Sequence, residues 1–110
     1  EMDKFQNKHL NFEIGVLCGS GTAIGEICFP KPNEECHGKI AVIPTASPDY
    51  LSVALSAAAV IVETGGKLAH LICVARENNK IIVRVAEALE QFKINQVVEI
   101  DAEKGKIKIL

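Results

Sequence analysis

A histidine lies four residues past a glycine pair in Thr64-Gly65-Gly66-Lys67-Leu68-Ala69-His70, and this grouping is the one in the chain best suited to chemistry. The chemistry it suits is phosphoryl transfer. Glycines at positions 65 and 66 let the backbone turn sharply and let an anion approach the amides without meeting a Cβ. The first N–H groups of a helix have no intrahelical partner, and the helix dipole adds to their attraction for negative charge. A neutral imidazole at His70 would be the nucleophile. Lys67 is placed to screen oxyanions during transfer. Thr64 either donates its hydroxyl to the phosphate or ends the preceding strand, and residue type alone leaves both roles open.

These residues need a strand before them and a helix after them. Ala58 to Val62 is short, apolar and β-branched towards its end, which predicts a buried strand. From Leu68 to Glu77 the apolar residues Leu68, Leu71, Ile72 and Ala75 recur at helical spacing, so His70 falls in a first turn. Cys73 is assigned to the apolar side of that helix as a small buried hydrophobe, and Arg76 to its end. Upstream, Phe12 to Cys18 and Gly25 to Phe29 read as two strands that pair across Gly19-Ser20-Gly21, followed by a loop from Pro30 to Gly38. Lys39 to Ile43 is a further strand. Ser47-Pro48-Asp49 then combines a capping residue, a proline at the first helical position and an acid at the positive end of the dipole, starting a helix that runs to about Ala57. Lys80 to Val85 predicts a strand, Ala86 to Phe92 a short helix, and Gln96 to Asp101 with Lys106 to Leu110 a hairpin around Gly105. Strands joined through helices require parallel pairing and hairpins require antiparallel pairing. The expected fold is α/β, a mixed sheet with short flanking helices.

Composition limits what this site can belong to. With 110 residues, 48% of them hydrophobic, the chain is long enough to bury a core as one domain. A net charge of −2 without a basic stripe argues against nucleic acid as a partner. The longest nearly apolar run, Leu51 to Val62, is too short to span a bilayer, so no membrane partner is expected. Residues 1–10 are polar, lack a signal region and are read as a flexible lead-in. A start at Glu1 is read as excision from a longer polypeptide. Cys18, Cys28, Cys36 and Cys73 form no CxxC pair, which points to reduced thiols and a cytoplasmic location rather than a disulfide framework. Adjacent Cys36 and His37 lack the spacing of a zinc site, so no metal is assigned. A thiol-based redox or metal role for Cys28 and Cys36 ranks last among the functions considered.

Three blocks in order carry a family resemblance: Gly19-Ser20-Gly21-Thr22-Ala23-Ile24-Gly25, the stretch Ile40 to Tyr50 continuing in Ala57 to Val62, and Thr64 to Glu77. Together they resemble the phosphohistidine swivelling (mobile) domain of the phosphoenolpyruvate-utilising enzymes, such as pyruvate phosphate dikinase and phosphoenolpyruvate synthase. The resemblance implies a single swivelling β/β/α domain over residues 1–110. It further implies that His70 is phosphorylated, with Thr64, Gly65, Gly66 and Lys67 around the phosphate. ATP and magnesium would then belong to partner domains. Those partners are a nucleotide-binding domain and a phosphoenolpyruvate- or acceptor-binding domain, in cis or in trans. Two departures stand out. Ala69 occupies the place where relatives commonly carry a hydroxyl or thiol, and Asn78-Asn79-Lys80-Ile81-Ile82-Val83-Arg84 replaces a glycine-isoleucine-proline turn and the valine-rich segment after it. The competing reading is a non-catalytic swivelling or interaction domain that has lost phosphorylation.

Overall fold

Runs of β-branched residues set the frame. A computed structural model describes residues 12–45, 47–64 and 69–110, so the lead-in over residues 1–10 lies outside the described part. In chain order the strands are β1 (Phe12–Glu13), β2 (Gly15–Cys18), β3 (Thr22–Cys28), β4 (Ile40–Thr45), β5 (Ala59–Thr64), β6 (Ile81–Arg84), β7 (Val97–Asp101) and β8 (Lys106–Ile109). Between them come a 3-10 turn at Pro48–Tyr50 and the helices α1 (Leu51–Ser56), α2 (Ala69–Glu77) and α3 (Ala88–Gln91).

The strands lie in the order β1-β8-β7-β3-β4-β5-β6-β2. β1 and β2 stand at opposite ends of that order although only Ile14 separates them in sequence. They act as two halves of one strand, one paired with β8 and the other with β6, so the sheet curls round on itself as seven strands. β3 to β6 are joined by parallel pairings, while β3–β7, β7–β8, β1–β8 and β2–β6 are antiparallel, the expected mixed sheet.

The expected pairing of the first two strands does not occur. β3 starts at Thr22 and pairs with β7 and β4. The turn between them explains the difference. Gly19 has φ of +99° and packs on the chain entering β6, where a Cβ would lie 2.7 Å from the Lys80 carbonyl oxygen. That contact holds β2 beside β6 and sends β3 away from it.

Alternation along the central strands fills two cores. Ile40, Val42, Ala59, Ile61, Ile81 and Val83 face the inside of the curled sheet with Val98, Ile100 and Ile107. Ala41, Ile43, Val60, Val62 and Ile82 face outward against Val53, Ala54, Ala57, Leu71 and Ala75 of the α1 and α2 layer. Because both faces are covered, β4 and β5 read as continuous apolar runs rather than as alternating ones. Ile61 is fully buried, so Ile61→Ala is expected to lower stability by about 3 kcal/mol in a urea titration.

Local signals account for the helices. The Ser47 hydroxyl accepts from the Asp49 N–H at 3.2 Å, and Pro48 opens the turn that leads into α1. α3 is shorter than the predicted 86–92 because Glu87, with φ of 57°, is left-handed and not helical. Cys73 is exposed, contrary to expectation. Leu71 and Ala75 define the buried line of α2, and Cys73 lies about 200° round the helix from each. The cysteines also depart from the all-thiol expectation, since Cys28 and Cys36 form a disulfide. β3 ends at Cys28 beside Ala41, and the loop before β4 brings Cys36 back to it, a return that an eight-residue spacing does not reveal.

Candidate functional site

The site is built where the central parallel strands end. β4 and β5 run side by side to the pair Thr45 and Thr64, with β6 parallel on the other side of β5. Carboxyl ends of parallel strands are where open α/β sheets place their ligands, because the connecting segments and the helix N-termini converge there. The chain leaves β5 after Thr64 and enters α2 at Ala69. His70 is the second residue of that helix, in its first turn as predicted. Gly65, Gly66 and Lys67 lie outside the described residues, as does Leu68.

Two side-chain bonds fix the exit of β5. The Thr64 hydroxyl donates to the Pro44 carbonyl at 3.0 Å and ties the ends of β4 and β5 together. The Glu63 carboxylate accepts from the Leu89 N–H at 3.3 Å and holds the same exit against α3. Of the two roles left open for Thr64, the geometry favours closing the strand, since its proton is already donated to Pro44. Replacing Thr64 with valine is expected to cost about 1 kcal/mol, measured by urea unfolding, through loss of this bond. Neither Pro44 nor Glu63 stands out in the sequence, because each bond joins segments that only the folded sheet brings together.

Below the site, α2 is anchored by Leu71 and Ala75, both buried against the outer core. Its far end is closed as the asparagines suggested. Asn79 takes a left-handed φ of 57°, and the Lys80 N–H donates to the Ala75 carbonyl at 2.8 Å. Asn79 thus closes the helix end in a conformation usually left to glycine. The Lys80 ammonium donates to the Ala57 carbonyl at 2.9 Å, linking the end of α1 to the start of β6. Arg76 lies exposed in the last turn of α2, at the opposite end of the helix from His70. His37 is held by Glu35 at 2.7 Å in the exposed loop before β4, away from the β5–α2 junction.

Comparisons with known proteins bear on this arrangement. An uncharacterized phosphotransferase of Bacillus subtilis, YvkC, is 27% identical over 105 residues, which is 91% of this chain. The chain spans only 13% of that relative's length. Among solved structures, a chain of Thermococcus kodakaraensis aconitase X superposes with a TM-score of 0.70 at 18% identity, covering 92% of this chain and 98% of that one. The solution structure of a UPF0107 protein superposes with a TM-score of 0.64 at 16% identity, covering 92% of this chain and 99% of that one. At such identities these two establish a shared fold and nothing about activity. The family described as PEP-utilising enzyme, mobile domain, matches residues 35–105, a span that includes β4, β5, the turn into α2 and His70. The chain belongs to that family of mobile domains of PEP-utilising enzymes.

Proposed function

We propose that this domain is a phosphoryl carrier in which His70 accepts a phosphoryl group from ATP or phosphoenolpyruvate and passes it to an acceptor. The observation that carries the reading is the placement of His70 in the first turn of a helix that starts from the carboxyl end of a central parallel strand. There the amides of a helix's first turn, which have no intrahelical partner, are suited to phosphoryl oxygens, and Gly65 and Gly66 precede them in sequence. In the transfer, the lone pair of an imidazole nitrogen forms the N–P bond as the P–O bond to the donor's leaving group breaks. The return step reverses this with the acceptor's oxygen. Lys67 is assigned to balance negative charge on the oxygens in flight.

Donor and acceptor sites are assigned to other domains. We place magnesium with ATP on a nucleotide-binding partner domain. Membership in a family of mobile domains, and a relative of which this chain spans only 13%, support partners in cis. No helix among the described residues is long and apolar enough to cross a membrane, and a cytoplasmic setting fits substrates such as ATP and phosphoenolpyruvate.

The donor is tested by incubating the protein with cell extract and either ATP or phosphoenolpyruvate, then measuring intact mass under alkaline handling. One added phosphoryl group with one donor, lost on acidification, is the expected result. No addition with either donor, under conditions that phosphorylate an active relative, would leave the non-catalytic interaction domain as the correct reading.

A further inference from the structure

We infer that Cys28 and Cys36 form a thiol–disulfide exchange site that fastens and releases the segment between them, with a low-molecular-weight thiol, for which glutathione serves as the probe, as the exchange partner. Cys28 ends β3 and is half-buried, whereas Cys36 sits in the loop before β4 and is only 5% exposed. Cys18 is buried and Cys73 lies on α2, so the Cys28–Cys36 bond is the disulfide joining β3 to the loop.

The loop is a strap along α1. Near one end of the helix, the Asn33 N–H donates to the Asp49 carbonyl at 2.9 Å. Near the other end, the Cys36 N–H donates to the Ser56 hydroxyl at 2.7 Å and the Gly38 N–H to the Ser56 carbonyl at 3.3 Å. These three hydrogen bonds and the burial of Cys36 in the outer core tie the strap to α1, while the disulfide ties it to β3; hydrogen bonds of this kind open far more readily than a covalent link. Asp49 follows the chain out of β4 at the end of the sheet where Thr64 closes β5.

A cavity of about 350 Å³ opens onto the disulfide, lined in part by Phe29, Glu34, Lys39 and Ile94, which gives a small thiol access to the sulfurs. A glutathione thiolate attacks the sulfur of Cys28, the less buried residue of the pair, forming a mixed disulfide and releasing Cys36 as a thiolate that takes a proton from water. A second glutathione thiolate then attacks the glutathione sulfur of the mixed disulfide. Glutathione disulfide leaves and Cys28 becomes a thiol. Two glutathiones thus supply the two electrons, and oxidation by glutathione disulfide is the reverse sequence.

The experiment equilibrates the 110-residue protein in buffers from fully reduced to fully oxidised glutathione, traps free thiols by alkylation, and reads the bridged fraction by mass. In parallel, a glutamate-specific protease probes cleavage after Glu34 and Glu35 in the strap. The bridged fraction is expected to rise through the series, with strap cleavage about tenfold slower in the bridged form. Cys73→Ser is expected to follow the unsubstituted protein, and Cys28→Ser to be cleaved rapidly in every buffer. Any of three results would overturn the proposal: a pair that stays reduced throughout, a pair that stays bridged throughout, or a bridge that forms without changing cleavage.

Discussion

Substituting His70 with alanine is expected to lower turnover of the complete phosphotransferase assembly by at least about a thousandfold while leaving this domain folded. The effect follows from the chemistry assigned to the residue. A carrier that lacks its nucleophile has no group to form the N–P bond, and alanine offers no substitute. Folding is expected to survive because α2 is anchored by Leu71 and Ala75, and the turn that ends it depends on Asn79 and Lys80. Alanine is also a strong helix former. Steady-state assays of the full-length protein carrying His70→Ala, set beside thermal melts of the isolated chain, check both halves. An assembly that keeps its activity with alanine at position 70, yet loses it when the whole domain is deleted, would show that the domain contributes structure and not transfer.

Gly19→Ala is expected to be the most damaging single change to the fold outside the cores, at about 3 kcal/mol, or a drop in Tm of about 15 °C. Two costs combine. With φ of +99°, Gly19 holds a backbone conformation that an alanine adopts only under strain. The added Cβ would also lie 2.7 Å from the Lys80 carbonyl oxygen and 2.8 Å from the Ile81 Cα, both backbone atoms with little room to move. The control is Gly21→Ala, also at positive φ but with nothing within 4 Å of the new Cβ, which isolates the conformational part. Differential scanning calorimetry of both variants separates the terms. Equal losses would mean that the contact of the turn with β6 carries little weight in holding β2 in place.

How much of this architecture was legible in advance depended on whether a signal was local. The cap at Ser47, the left-handed Asn79 and the hairpin around Gly105 were all readable, because each rests on the conformational preference of one or two residues. The apolar, β-branched run of β5 was likewise readable as a buried strand, and the structure covers both faces of β4 and β5. Long-range geometry was not readable. The stretch Phe12 to Cys18 looks like one strand and is followed by a glycine turn, which suggests a hairpin with its neighbour. Instead it splits at Ile14 and closes the curled sheet from both sides, a choice set by the distant partners β6 and β8. The Cys28–Cys36 bond escaped for the same reason. Cys73 was misplaced because it was grouped with the apolar stripe of α2, whereas Leu71 and Ala75 mark the buried side and Cys73 lies away from it.

The candidate site divides along the same line. The glycine pair, the apolar spacing of the helix and the position of His70 in its first turn are local, and the turn position stands in the structure. The ties that fix the exit of β5, from Thr64 to Pro44 and from Glu63 to Leu89, cross 20 and 26 residues of sequence. Such bonds become visible only once the strands are aligned.

The central claim is that His70 carries the phosphoryl group, and peptide mapping tests it most directly. Unsubstituted protein and the His70→Ala variant are incubated with cell extract and donor, digested and handled at alkaline pH, and analysed by tandem mass spectrometry. The account predicts one acid-labile phosphoryl group on the peptide containing His70, localised to that residue and absent from the variant. A phosphoryl group localised to His37, or to any other residue, or one that persists in the variant, would contradict it.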